Sequence, residues 1–426
     1  MADLLSLTEY FDSRGDVILL ESQSKDHPSS RVSYLAAQPE AVIKADGDHI
    51  SEIRGAQQKR YSQNPWKALQ AFRNRVDGWL FGYLGYDLKN HIEQLHSSND
   101  DPVGAPNMYF MVPGFLLRYD HQSEKGEVVV GDLPAEAEID QYISIKRECE
   151  LASLQPQTSR RAYIQKIRQA QALITEGDFY EINLSHQIQA PFKGSALQLY
   201  QKMREIGPVP FGSFLQLDDI SICCQSPERF LRKEGRSVFS QPIKGTSKRG
   251  RTPDEDELLK RALISSEKEQ AENLMIVDLV RNDLSRIAKR GTVKVPELFA
   301  IQSFGTVHQM VSTVVAEAEQ EDPVTILQAC FPMGSMTGAP KISAMKSIEK
   351  LEDYKRGIYS GAIGYITPEG NFDFNVVIRT AIIRNNDLYY AVGGAITSDS
   401  NAQKEWEETQ IKARALLQVF ENFEND

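Results

Sequence analysis

The feature that most limits this chain's fold is its wealth of short β-branched and aromatic runs, each stopped by Gly, Pro, Asp or Asn. VILLES (Val17–Ser22), SRVSYLAA (Ser30–Ala37), AVIKADGDHI (Ala41–Ile50), DGWLFGYLGYD (Asp77–Asp87) and the hairpin-like FLLRYDHQSEKGEVVVGD (Phe115–Asp132) read as strands and turns. So do Phe179–Ile188, Phe211–Leu217, Ser221–Ser226, Ile363–Thr367, Asn375–Arg384 and Leu388–Val392. Fewer stretches carry helical spacing: Trp66–Arg75, a Ser159-capped segment with Tyr163, Ile167, Ala170 and Ile174 on one stripe, Glu267–Lys289, Lys341–Leu351 behind Pro340, and about Asn401–Phe420. That balance predicts an α/β or α+β fold with large mixed sheets. A polar, acidic stretch, Leu133–Thr158, reads as a linker. It separates a β-rich subdomain over residues 1–150, packed on the core, from a larger second domain over residues 158–424.

Charge narrows the function. Acidic residues number 59 and basic residues 48, a net −11, which argues against a nucleic-acid or membrane-surface partner, because those need a basic face. Four cysteines offer neither a disulfide framework nor C-x-x-C spacing. The N-terminal stretch lacks the layout of a signal peptide, and no apolar run approaches the roughly 18 residues of a membrane helix. The expectation is a cytoplasmic, reduced protein.

Several side chains stand out for chemistry. Glu269 and Glu272 lie three apart on one expected helix, Glu405 and Glu408 three apart on another. Each pair shares a helix face, and two facing pairs would suit Mg²⁺, a hard cation that keeps waters and takes one or two carboxylates. For either pair alone, helix capping or a solvated face is the stronger reading, since Ser266-x-x-Glu269 is a capping box. Lys244 ends a strand at a Gly245-Thr246 turn. A desolvated lysine there would have a depressed pKa suited to nucleophilic or acid/base work, and a surface lysine is the plain alternative. Glu228, in SPERF, could act as an acid or bridge to Arg229. GSMTGAPK (Gly334–Lys341) is a Gly-rich turn into a helix N-terminus, fit for an anion but not a Walker A loop. VGGAITSDS (Val392–Ser400) is a second small-residue turn. Arg379, inside an apolar strand, needs an anionic partner, either a substrate carboxylate or a protein acid. DLVRND (Asp278–Asp283) reads as organising helix–sheet contacts.

Taken in order, GDFYEINLS, SPERF, PIKGT, KEQAEN with LMIVDLVRNDL, GSMTGAPK, GAIGY, VVIRTA and the terminal EWEETQIKAR resemble the chorismate-utilising enzymes, which include anthranilate, aminodeoxychorismate, isochorismate and salicylate synthases. The resemblance runs over the whole chain and is strongest from about Ser159 to Phe420. It implies two large packed β-sheets with helices outside and a Mg²⁺-dependent chorismate site. Glu272 and Glu408 would ligate the metal, with Glu269 and Glu405 holding its waters. Lys412 would add positive charge at the ring carboxylate. Arg379, Tyr365 and the amides of Gly393, Gly394 and Ala395 would hold the enolpyruvyl carboxylate, and Gly245 and Thr246 the ring side.

The lysine of PIKGT resembles the branch that aminates chorismate at C4, where Lys244 would attack C2 while Glu228 protonates the departing C4 hydroxyl. Amination at C2, to anthranilate, is the alternative, and a non-catalytic chorismate or tryptophan sensor is the rival of another class. No Cys/His glutaminase constellation is visible, so ammonia is expected from a separate glutamine amidotransferase subunit. Gln309 stands where the family often has histidine, with His308 one residue earlier. VILLES resembles a tryptophan-binding segment, with Ser22 as its polar residue; a core-strand serine is the other reading.

Overall fold

The computed structural model describes residues 3–24, 31–140, 149–151, 155–304 and 307–421. Their strands join into one 22-stranded network, and its ladders are antiparallel throughout rather than mixed. Two long paired strands, Val32–Asp46 and Met108–Asp120, form its root. One arm leaves through Leu80–Leu84, Ala362–Ile366, Phe372–Asn375, Arg229–Glu234, Ser237–Gln241 and Val307–Glu317. The other leaves through Val17–Glu21, Phe211–Leu217, Ile220–Ser226, Thr380–Arg384, Asp387–Ile396 and Glu181–Lys193.

The arms pack on each other. Phe81 and Ile363 from the first share a core with Leu215, Ile222, Ile382 and Tyr389 from the second. Neighbouring residues on the second arm, Phe214, Cys223, Ala381 and Tyr390, point the opposite way into a core shared with outer helices. Successive side chains on a strand face opposite sides, so a strand buried on both faces reads as a continuous apolar run. That explains ICC and IRTAII. Trp66, Phe72, Ile276, Val277 and Leu327 cover the outer face of the first arm, which completes two packed sheet layers between helices, as expected. No helix among the described residues is long and apolar enough to cross a membrane.

Strands of residues 1–150 enter both arms, since Val17–Glu21 pairs with Phe211–Leu217 and Leu80–Leu84 with Ala362–Ile366. The expected linker falls partly outside the described residues; within it Glu150–Leu151 and Gln155–Pro156 pair with Glu181–Lys193. SRVSYLAA and AVIKAD, expected as separate strands, are one strand with an irregularity between Pro39 and Ala41. The expected strand Asn375–Arg384 is broken, because Arg379 takes a left-handed φ of 52° between Phe372–Asn375 and Thr380–Arg384. A helix at Leu4–Asp12, capped by Asp3, was not foreseen.

One buried ion pair ties these parts together. Arg356 and Glu352, each 1 % exposed, meet at 2.6 Å. Arg356 also donates to Met336 O, Asn183 O and the Ser360 hydroxyl, while Glu352 accepts from the Ser185 amide and hydroxyl. Removing one partner of a buried pair leaves an uncompensated charge, so Arg356→Ala is expected to lower unfolding stability by about 3–5 kcal/mol. Chemical denaturation of the two proteins checks this, and a change under 1 kcal/mol contradicts it.

Candidate active site

The candidate site is built on Glu181–Lys193, the strand whose Asn183 and Ser185 backbone that ion pair holds. Asp387–Ile396 runs antiparallel to Glu181–Lys193, placing Gly393 opposite Ser185, Gly394 opposite Leu184 and Ala395 opposite Asn183. A side chain at 393 would lie 2.6 Å from Leu184 O, so only glycine lets the strands approach there. At 394 a Cβ would point to Glu405, Glu408 and Lys412 at 3.5, 3.8 and 3.9 Å. Lys412 fastens the final helix, Ala402–Glu421, to this strand. Its Nζ donates to Gly393 O at 2.8 Å and pairs with Glu408 at 2.7 Å.

The acidic helix Glu267–Ser285 starts at its Ser266 cap, which accepts from the Glu269 amide. The capping reading of Glu269 therefore holds. Glu269 lies over Gly245, where an added Cβ would meet its carboxylate at 2.9 Å, and the left-handed φ of +85° there favours glycine. Glu272 pairs with Lys268 at 3.6 Å. Lys268 is held above its ordinary pKa by Glu272, with Glu269 and Glu405 adding to it, so it feels acids of both helices. Burial pushes Glu408 up, but Lys412, Lys244 and Lys268 outweigh it and leave the carboxyl low. Burial raises Glu272 and Glu405.

Lys244 points inward. Its side chain is 12 % exposed and its Nζ donates to Glu181 Oε1 at 2.9 Å, while Glu181 is 1 % exposed. Burial alone would lower the lysine pKa, as expected from its sequence context. Instead Glu181, Glu272 and Glu228 win and hold it above its ordinary value. The depressed pKa is thus corrected: carboxylates at close range outweigh desolvation. Glu228, 5 % exposed, behaves oppositely. Burial pushes it up to about 7, against the pull of the Ser335 hydroxyl, Lys244, the Ile243 amide and Arg379. That value suits a proton donor near neutral pH.

Arg379, half-buried, makes no ion pair among the described residues, and burial lowers its pKa against the attraction of Tyr390 and Glu228. A desolvated guanidinium without a partner suits an anionic ligand. Thr246 pairs in register with Gln309, whose buried Oε1 has no hydrogen-bond partner. His308, on the other face, is taken up by Asp256 and Ser303 at 2.8 Å each.

Two expected site residues lie elsewhere. Tyr365 packs its ring against Tyr34, Trp79 and Phe81 at 4.8, 5.6 and 5.8 Å. It lines a separate cavity of about 590 Å³ with Ser22, Arg232 and Asp373. The reason is register: pairing with Phe81 points Tyr365 toward the first-arm aromatics, and the phenol near Arg379 is Tyr390. Ser22 donates to Val32 O at 2.9 Å, the contact of a core-strand serine, and it also lines that cavity. Sequence reasoning missed Glu181 and Lys268. Both sit inside quoted motifs, FYEINL and EKEQAEN, but only tertiary contact reveals their partners.

Among the described residues, no three His, Cys, Asp or Glu side chains stand close enough to hold a metal. Mg²⁺ needs no such cluster, since it takes one or two carboxylates and fills its shell with waters and substrate oxygens. Five carboxylates (Glu181, Glu269, Glu272, Glu405, Glu408) against three ammonium groups (Lys244, Lys268, Lys412) leave two negative charges uncompensated. The all-oxygen donor set and that charge deficit fit a hard divalent cation.

A sequence profile described as chorismate binding enzyme matches residues 15–418. Anthranilate synthase component 1 of Aquifex aeolicus is 35 % identical over 82 % of this chain and 75 % of its own length. Aminodeoxychorismate synthase component 1 of Escherichia coli is 34 % identical over 95 % of this chain and 93 % of its own. The crystal structure of anthranilate synthase component I from Streptococcus pneumoniae superposes with a TM-score of 0.80 at 28 % identity, covering 92 % and 93 % of the two chains. The fold agrees with these matches, and the chain belongs to the chorismate-binding enzyme family.

Proposed function

We propose that this chain aminates chorismate at C4, giving 4-amino-4-deoxychorismate, with ammonia delivered by a separate glutamine amidotransferase subunit. Relatives at similar identity bear both names, anthranilate synthase and aminodeoxychorismate synthase, so the choice of product rests on the site. The observation that carries it is the Lys244 amine, turned into the cleft between Glu181, Glu228 and Glu272. Glu181 accepts the hydrogen bond from Nζ and is placed to take the proton that frees the amine for attack on C2. Glu228, protonated near neutral pH, donates to the departing C4 hydroxyl. Attack by the lysine first, and ammonia second, splits one difficult substitution into two.

Arg379 and the amides of Gly393–Ala395 would hold the enolpyruvyl carboxylate, and Gly245 and Thr246 the ring side. Glu272 and Glu408 would hold Mg²⁺ directly, and Glu269 and Glu405 its waters. Bound there, the ion supplies positive charge to the ring carboxylate. Lys412, already at Glu408, adds to it.

The purified chain with chorismate, Mg²⁺ and high ammonium is expected to yield 4-amino-4-deoxychorismate by chromatography, and to use glutamine only after the amidotransferase is added. Lys244→Ala is expected to lose that product. Fluorescent anthranilate as the main product, or an intact reaction in the variant, would overturn the proposal.

The acid role fixes a pH dependence. Because Glu228 works protonated and titrates at about 7, the rate is expected to fall as pH rises above that value. Glu228→Gln is expected to lower kcat about 100-fold or more. Measured as kcat at saturating free ammonia, so that the titration of ammonium does not enter, a pH profile still rising through pH 8 contradicts the assignment.

A further inference from the structure

Two buried oxygens of the site strand have no donor to meet. Glu181, 1 % exposed, gives Oε1 to the Lys244 amine at 2.9 Å, while its Oε2 is buried without a hydrogen-bond partner. Asn183, 8 % exposed, turns its Nδ2 to Ser335 O at 3.3 Å. A carbonyl only accepts, so that contact fixes the amide orientation and leaves Oδ1 as the free end. The Asn183 Oδ1 is likewise buried and unpartnered. Residues two apart on a strand share a face, so both oxygens open on one side of Glu181–Lys193. Their anchors are the two reacting side chains of the proposed mechanism. Glu181 is bonded to Lys244, and Asn183 to Ser335, whose hydroxyl bonds Glu228. Asn183 is also fixed through its backbone, which accepts from Arg356 and donates to Thr337 O at 2.8 Å each. Buried acceptors left unbonded are costly, and a ligand carrying donors removes that cost.

We propose that Glu181 Oε2 and Asn183 Oδ1 form the subsite that holds ammonia for its attack at C4. The inference rests on the C4 amination reading. Ammonia has three N–H donors and one lone pair, so it can donate to both oxygens and keep the lone pair for carbon. A water donating to both keeps two lone pairs, and the second needs a donor that these oxygens do not supply. The subsite thus favours amination over hydration. The positive charge of Lys244 on the same carboxylate favours neutral ammonia over ammonium. When ammonia attacks, the Lys244 nitrogen is bonded to C2 as a secondary ammonium, and the C4 hydroxyl has left as water with the Glu228 proton. The ammonia lone pair forms the C4–N bond and the two ring double bonds shift. The C2–N bond breaks, its electron pair returning to the Lys244 amine. The new C4 ammonium group gives one proton to the Glu228 carboxylate, which restores the acid.

Steady-state kinetics of the full chain with chorismate and Mg²⁺, at fixed pH and varied free ammonia, test the subsite. The wild-type rate is expected to saturate in ammonia. Asn183→Leu removes the acceptor at similar volume. It is expected to raise KM for ammonia about tenfold, to leave KM for chorismate within about twofold, and to form the Lys244–chorismate adduct as the wild type does when ammonia is withheld. Asn183→Asp keeps an oxygen at the subsite and loses only the donor to Ser335, so its KM for ammonia is expected to stay within about twofold of wild type. Should Asn183→Leu fail to fold, Asn183→Ala, which adds no bulk, carries the same expectations. A wild-type rate linear in ammonia throughout, an unchanged KM for ammonia without the acceptor, or an equal rise in the Asp variant overturns the subsite; while the adduct still forms, the amination reading stands. A wild type that yields neither adduct nor 4-amino-4-deoxychorismate removes both.

Discussion

The site depends on a salt bridge that never meets solvent. Arg356 and Glu352 together bind the backbone of Asn183 and Ser185, the Met336 carbonyl of the Gly-rich turn, and Ser360 at the start of Ala362–Ile366. These are the segments on which the candidate site is assembled. The desolvation of two charges is costly, and such a pair contributes less to net stability than to fixing one arrangement over its competitors. Here the arrangement fixed is the position of Glu181–Lys193, the strand that offers Glu181 to Lys244 and faces Gly393–Ala395. Asn183 adds a second link, donating to Ser335 O, and Ser335 in turn bonds Glu228.

Around that frame the site is a contest between burial and charge, decided differently at each residue. Desolvation wins at Glu228, where Lys244 and Arg379 do not offset it. It loses at Lys244, where three carboxylates hold the ammonium form. It loses again at Glu408, where Lys412 lies only 2.7 Å away. Opposite outcomes within one cleft set the protonation states on which the proposed acid and amine nucleophile depend. The surplus of carboxylates over ammonium groups suits the cleft to the divalent ion proposed for it.

Much of this was legible in the sequence, for physical reasons. Strands buried on both faces announce themselves as apolar runs, and the Ser159 and Ser266 caps and Pro340 mark helix starts by local chemistry alone. The i, i+3 acid pairs and the Lys244–Glu228 pairing also follow from local spacing and motif resemblance. What escaped depends on register and tertiary contact. Tyr365 faces away because Gly364 and Tyr365 pair with Gly82 and Phe81, a partnership no local pattern records. Arg379 is not inside a strand because its left-handed backbone ends one there. The direction of the Lys244 shift was misjudged because Glu181, 63 residues away in sequence, is its nearest partner.

The central claim is that the Lys244 amine bonds to the ring, and it can be examined without any product assay. The chain is mixed with chorismate and Mg²⁺, ammonia withheld, quenched in acid and digested for mass spectrometry. The account predicts that the peptide bearing Lys244 gains the mass of chorismate less one water, and that this adduct disappears when ammonium is added before the quench. An unmodified Lys244 peptide from an enzyme that turns over with ammonium would contradict it.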